Sequence, residues 1–184
     1  MPRPPNHSRP AIRHEYESRG VAGFYRQSGA HYRNPHEPQV RKSLQFAAAH
    51  WNLDLSHVLD LAAGSGEVTL ALRDLGAKQI EAIDPFTFAA YRERTGTEAG
   101  RETFEQIAAG ALAGRTYSLI VCSFALHLVE NSRLAQLCYA LSQISGTLLI
   151  LTPHKRPEIR PEWSWTLQQE TVIERVRSRL YRTD

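Results

Sequence analysis

Apolar residues first gather into a recognisable pattern at Val40, Leu44, Phe46, Ala47 and Trp51, a spacing that predicts a helix over 40–51. Beyond it, short apolar runs alternate with amphipathic stretches. The runs predict strands over 57–61, 79–83, 102–105, 117–122 and 146–152. The stretches between them predict helices over 66–75, 86–94 and 131–143. Short buried strands alternating with helices imply a parallel sheet covered on both faces. Near the C-terminus Val172, Glu174, Val176, Ser178 and Leu180 alternate with Ile173, Arg175, Arg177, Arg179 and Tyr181. A period of two predicts one more strand over 172–182, and its arginines suit a sheet edge. Before the first helix, Asn34-Pro35-His36-Glu37-Pro38 predicts a turn, and residues 1–12, with four prolines, predict a disordered tail. The chain thus divides into a tail (1–12), an N-terminal segment (13–39) and a single α/β domain (40–184).

The run Val58-Leu59-Asp60-Leu61-Ala62-Ala63-Gly64-Ser65-Gly66-Glu67 changes this picture most. It reads as strand, tight turn and helix. Glycines at 64 and 66 remove side chains that would hold a ligand off the backbone, and the new helix aims unpaired N–H groups at the same place. A second strand ends in Asp84, twenty residues beyond Gly64, where an acid commonly accepts hydrogen bonds from a ribose diol. The dinucleotide fingerprint G-x-G-x-x-G is incomplete, because Thr69 takes the place of its third glycine.

Asp60, Gly64 and Gly66, with Ala62 replacing a first glycine, resemble motif I of the class I S-adenosylmethionine-dependent methyltransferases. Alanine fits such a turn if its φ stays negative. Phe104 to Ile107, Tyr117 to His127 and Leu148 to Pro153 resemble the family's later strands in the right order, and the likeness spans roughly residues 40 to 184. The resemblance implies a doubly wound, mostly parallel seven-stranded sheet with an antiparallel C-terminal edge and an N-terminal helical lid. It implies S-adenosylmethionine as cofactor. At the matching positions, Asp60 would orient the turn and reach the methionine amino group. Ala62, Gly64, Ser65 and Gly66 would form the close approach, and Asp84 would hold the ribose. Pro85 and Phe86 would lie by the adenine, Gln106 and Ile107 at its edge, and Ser123, Phe124 and His127 toward the methyl group.

Methyl transfer asks the protein for position and, where the acceptor carries a proton, for a base. His127, after the fourth of these strands, and His154 are the candidate bases. Thr152-Pro153-His154-Lys155-Arg156-Pro157 is a basic loop held between prolines, with Lys155 and Arg156 suited to a carboxylate or phosphate. Tyr25, Tyr32, Asn34 and His36 are the substrate-side candidates of the N-terminal segment. Cys122 sits in an apolar run and reads as packing. The histidines at 7, 14, 31 and 36 lack metal-site spacing, so no metal is expected.

Composition narrows the field further. At 184 residues one domain is expected. No apolar run reaches the eighteen or so residues of a membrane span, and the N-terminus does not read as a secretory signal. With only Cys122 and Cys138, a reduced cytoplasmic setting fits. Residues 1–45 carry 8 Lys and Arg against 3 Asp and Glu, residues 46–150 carry 7 against 11, and residues 151–184 carry 7 against 5. Basic flanks around an acidic centre favour an anionic substrate. The expectation is a methyltransferase, monomeric or homodimeric, acting on a small or medium-sized anionic or aromatic acceptor. The alternatives are an RNA methyltransferase acting on tRNA or a terminal phosphate, and a non-catalytic methyltransferase-like binding domain.

Overall fold

The computed structural model describes Gly29 and residues 32–183. The expected tail, Tyr25 and most of the expected lid lie outside the described residues. The elements run α1 (Glu37–His50), β1 (His57–Leu61), α2 (Glu67–Asp74), β2 (Gln79–Ile83), α3 (Phe88–Thr95), α4 (Phe104–Ala108), β3 (Leu119–Ser123), α5 (Asn131–Ser142), β4 (Thr147–Thr152), β5 (Thr166–Ile173) and β6 (Val176–Arg182). One sheet has the order β2-β1-β3-β4-β6-β5. β1 to β4 are parallel, and β6 and β5 close the edge antiparallel. Strand order reverses between β1 and β3, so a crevice opens beyond their C-terminal ends.

Period-two alternation sorts the central strands onto two cores. Leu59, Leu61, Ile120, Cys122, Leu148 and Ile150 pack with Leu134, Leu137 and Leu141 of α5. Val58, Leu119, Val121, Leu149 and Leu151 pack with Val40, Leu44 and Ala47 of α1 and with Val68, Ala71 and Leu72 of α2. Trp165 leads into β5, is fully buried, and donates its indole N–H to the Cys138 carbonyl at 2.8 Å, fastening the antiparallel edge to α5. No described helix is long and apolar enough to cross a membrane.

Two expectations are corrected. The sheet has six strands among the described residues, because 102–105 forms no strand. Thr103 instead caps α4 through a reciprocal box: its hydroxyl accepts from Gln106 N–H at 3.3 Å, and the Gln106 amide oxygen accepts from Thr103 N–H at 2.8 Å. Thr103-x-x-Gln106 is a helix-start signature, and it outweighs the short apolar run. Pairing beside β2 shrinks to an isolated bridge between Ile83 and Gly100.

Residues 172–182 are likewise a hairpin turn inside two strands. Glu174 and Arg175 both adopt positive φ, +46° and +71°. Two left-handed residues in a two-residue loop match the right-handed twist of the flanking strands. Asn-Gly suits this geometry far better than Glu-Arg. Replacing Glu174→Asn together with Arg175→Gly is expected to stabilise the fold by about 1 kcal/mol and to raise Tm by about 3 °C, read by thermal unfolding. The exposed Lys42–Glu174 ion pair given up in the exchange contributes little.

Candidate functional site

The site begins with one residue out of keeping with its strand. In β1, Val58 faces the core shared with α1 and α2, so Asp60, two residues on, points the same way. It is 1% exposed. Its Oδ2 accepts from the backbone N–H of Thr69 at 3.0 Å and from the Thr69 hydroxyl at 2.7 Å. Its Oδ1 is buried and has no hydrogen-bond partner. Burial pushes the carboxyl up to about 7, with Glu67 and Asp84 adding repulsion and Thr69 opposing the rise.

Asp60 lines a cavity of about 250 Å³ beyond the ends of β1, β2 and β3. The turn after β1 supplies Ala62, Ala63 and Gly64 to its wall. Asp84 holds that turn: its Oδ2 accepts from Gly64 N–H at 3.0 Å, and its Oδ1 accepts from the N–H groups of Phe86 and Thr87 at 2.9 and 2.8 Å. Thr87 returns a hydroxyl to the Gly64 carbonyl at 2.6 Å. The two loops are therefore laced to each other before any ligand arrives. Oδ1 has both lone pairs engaged, and Oδ2 retains one for a further donor.

Two backbone features depart from the expectation. Ala62 has φ +58°, not a negative value, and Phe124 at the end of β3 has φ +56°. Both line the cavity. Strained non-glycine residues persist where surrounding contacts over-determine them, commonly at ligand sites. Gly66, expected to clear space for a ligand, is not on the wall. A Cβ there would stand 2.4 Å from Thr95 Cγ2 and 3.3 Å from the Tyr91 ring, so Gly66 permits α2 to pack against α3.

Glu67 was not singled out from sequence. It is buried at the start of α2 and on the cavity wall. Its Oε1 accepts from Ser65 Oγ at 2.6 Å and from Asn34 N–H at 3.1 Å. Arg94 from α3 lies 3.8 Å from the same oxygen and also pairs with Glu37 of α1. This network fastens the cavity-lining Asn34 against the turn. An acid in the first turn of the helix that follows the glycine turn was the available signal.

The other expected residues divide. Pro85, Phe86, Ser123 and Phe124 line the cavity. His36 is exposed but stacks on Phe124 with centroids 5.4 Å apart. Ser65 is buried beneath the turn. Gln106 is exposed and committed to its capping box, and Ile107 is core. The cavity face there belongs to Glu102, Thr103, Phe104 and Glu105, and Glu102 presents a buried Oε2 without a partner. His127 lies off the wall with its ring 4.4 Å from that of His154. Burial, then the neighbouring His154, lowers His127 to about 4, and its buried Nδ1 has no partner. Lys155 and Arg156 are exposed on a loop whose carbonyls, at Lys155 and Pro157, accept from buried Arg179 at 2.9 Å each. Cys122 is fully buried and its thiol is driven far up by burial. Among the described residues, no three His, Cys, Asp or Glu side chains are grouped to hold a metal ion.

Gly66→Ala is expected to destabilise by about 2–4 kcal/mol in urea unfolding, combining strain at φ +90° with the Thr95 contact. Gly76→Ala, at φ +91° with open space around it, should cost about 1 kcal/mol from strain alone.

The comparisons agree with this geometry. The model of a family described as a methyltransferase domain matches residues 30–182. A relative from Schizosaccharomyces pombe, carrying the name "Uncharacterized protein C17A5.05c", is 34% identical over 90% of each chain. Magnesium protoporphyrin IX methyltransferase from Synechocystis, solved with bound SAM, superposes with a TM-score of 0.59 at 15% identity, covering 92% of this chain and 93% of that one. A putative RNA methyltransferase, PH1948 from Pyrococcus horikoshii, superposes with a TM-score of 0.60 at 16% identity, covering 83% and 84%. At such identities the structural likeness speaks for the fold, and the family match speaks for the chemistry. The chain belongs to the class I S-adenosylmethionine-dependent methyltransferase family.

Proposed function

We propose that the protein transfers a methyl group from S-adenosylmethionine to a small or medium-sized anionic acceptor. The observation that carries the donor assignment is the buried, partnerless Oδ1 of Asp60 on the cavity wall. A buried carboxylate oxygen without a partner is costly, and a ligand ammonium group relieves that cost. Asp84 and the free Oε2 of Glu102 add acceptors suited to the hydroxyl and amino donors of a nucleoside. Glu67 and Glu105 also line the wall, each offset by an arginine, Arg94 and Arg133. When bound, the donor supplies an electrophilic methyl carbon on a sulfonium.

An anionic acceptor fits the residues beyond the cavity. Arg179 pins the backbone that carries Lys155 and Arg156, so these cations are presented at low entropic cost. His127 is the candidate base. With its pKa lowered to about 4 it is a weak one, better matched to an oxygen that is already ionised than to an alcohol. Such an acceptor needs no proton removed, and positioning then does most of the catalytic work. His36 borders the approach through Phe124.

RNA is the second reading, favoured by the basic balance of both flanks, 8 cations against 3 anions and 7 against 5. A metabolite acceptor should lose little affinity between low and moderate salt. A loss of about a hundredfold or more would transfer the proposal to RNA.

Two outcomes test the assignment. In calorimetry, S-adenosylmethionine should bind the wild type, and Asp60→Asn should weaken binding by at least about tenfold. Asp60 in the free fold favours its protonated form: its contribution to stability is full below about pH 4 and lost as pH rises through about 7. The ligand ammonium requires the carboxylate. Affinity should therefore rise about tenfold per unit up to pH 7 and fall again above about pH 8, where an α-amino group titrates. A flat profile would contradict the Asp60 assignment. In turnover assays, Lys155→Glu with Arg156→Glu should raise KM for an anionic acceptor about tenfold or more while leaving donor affinity within about twofold.

A further inference from the structure

We propose that Thr69, backed by Tyr91, is a positioning residue for the methyl donor: it grips one oxygen of Asp60 so that the other meets the donor as a carboxylate. The inference rests on reading the cavity as the donor pocket.

The residues form a continuous chain. Arg73 Nη2 donates to Thr97 Oγ1 at 3.1 Å, Thr97 Oγ1 lies 3.0 Å from Thr95 Oγ1 and 3.5 Å from Tyr91 Oη, Tyr91 Oη lies 3.1 Å from Thr69 Oγ1, and Thr69 Oγ1 donates to Asp60 Oδ2 at 2.7 Å. Its carboxylate end fixes its direction. A guanidinium only donates and a carboxylate only accepts. Thr69 has a single hydroxyl proton and gives it to Asp60, so the Tyr91–Thr69 contact runs from Tyr91 to Thr69. Thr69 and Tyr91 are buried, and so is Asp60. Hydrogen bonds polarised in sequence at low dielectric reinforce one another.

This chain answers a specific difficulty. The titratable groups facing Asp60 are Glu67 from α2, Asp84 after β2, Tyr91 from α3 and Cys122 from β3. Glu67 and Asp84 oppose its ionisation, as does burial. Thr69, through its hydroxyl and its N–H, is what favours the charge. Because both Thr69 bonds fall on Oδ2, Oδ1 is left for the cavity. Thr69 stands where the dinucleotide fingerprint would place a glycine. A glycine would supply the N–H but no hydroxyl.

The test follows the Asp60 carboxyl by carbon NMR in the free protein, identified by its loss in Asp60→Asn, and S-adenosylhomocysteine affinity by calorimetry from pH 5.5 to 8.5. Thr69→Val should raise the Asp60 midpoint by about one pH unit or more and lower affinity at pH 7 about tenfold. Thr69→Ser should match the wild type, and Tyr91→Phe should shift the midpoint the same way by a smaller amount. A folded Thr69→Val with an unmoved midpoint, or Thr69→Ser behaving like Thr69→Val, overturns the proposal. Should Thr69→Val not fold, Tyr91→Phe decides, and an unmoved midpoint there overturns it. Failure of the donor reading shows up separately, as no S-adenosylhomocysteine binding by the wild type at any pH. The free-protein midpoints still uphold or overturn the grip of Thr69 on Asp60.

Discussion

A carboxylate in a core position governs this molecule. Asp60 occupies a place in β1 that alternation assigns to the apolar layer between the sheet and α2. A charge there is tolerable only if its lone pairs are met. Thr69 meets those of one oxygen and leaves the other buried without a partner, on a residue of the cavity wall. The register of α2 on the sheet, the aim of Tyr91 and the close α2–α3 packing at Gly66 all serve this placement.

The loops above the sheet follow a related logic. Asp84 spends its carboxylate on three backbone N–H groups, and Thr87 completes the lacing to the Gly64 carbonyl. Ala62 and Phe124 remain in left-handed conformations against their own preference, which fits a rim held by its neighbours rather than by local propensity. Glu67 and Arg94 carry the same rigidity outward to Asn34 and α1. Pre-organisation of this kind suits a transfer in which the cofactor brings the reactive group and the protein contributes alignment.

Much of this was legible. The apolar runs located β1 to β4 closely; β3 and β4 are apolar almost throughout because they are buried on both faces, while the edge strand β2 keeps Gln79 and Glu81. Asp60 and Asp84 stood out as acids at strand ends. What misled was context. Phe104 to Ile107 resembled a strand with an adenine edge, yet Thr103 and Gln106 close a helix cap and turn Ile107 into the core. The alternation over 172–182 ran straight through a turn, yet the register pairs Ile173 with Val176, so the loop inverts parity and leaves Val172 exposed while Val176 is buried. Glu67 looked like a helix-start acid, and only its neighbours reveal a wall residue.

By itself the sequence determined the layer order, the parallel sheet and the position of the glycine turn, since hydrophobic period and chain punctuation are local properties. Only the tertiary structure decided which lone pairs are spent and which remain. Whether Asp60 keeps an unpaired oxygen, whether Gly66 makes room for a ligand or for α3, and whether His127 is a strong base or a weak one depend on groups brought together from distant parts of the chain. Hydrogen-bond satisfaction and desolvation are set by those neighbours in space, which no spacing along the chain records.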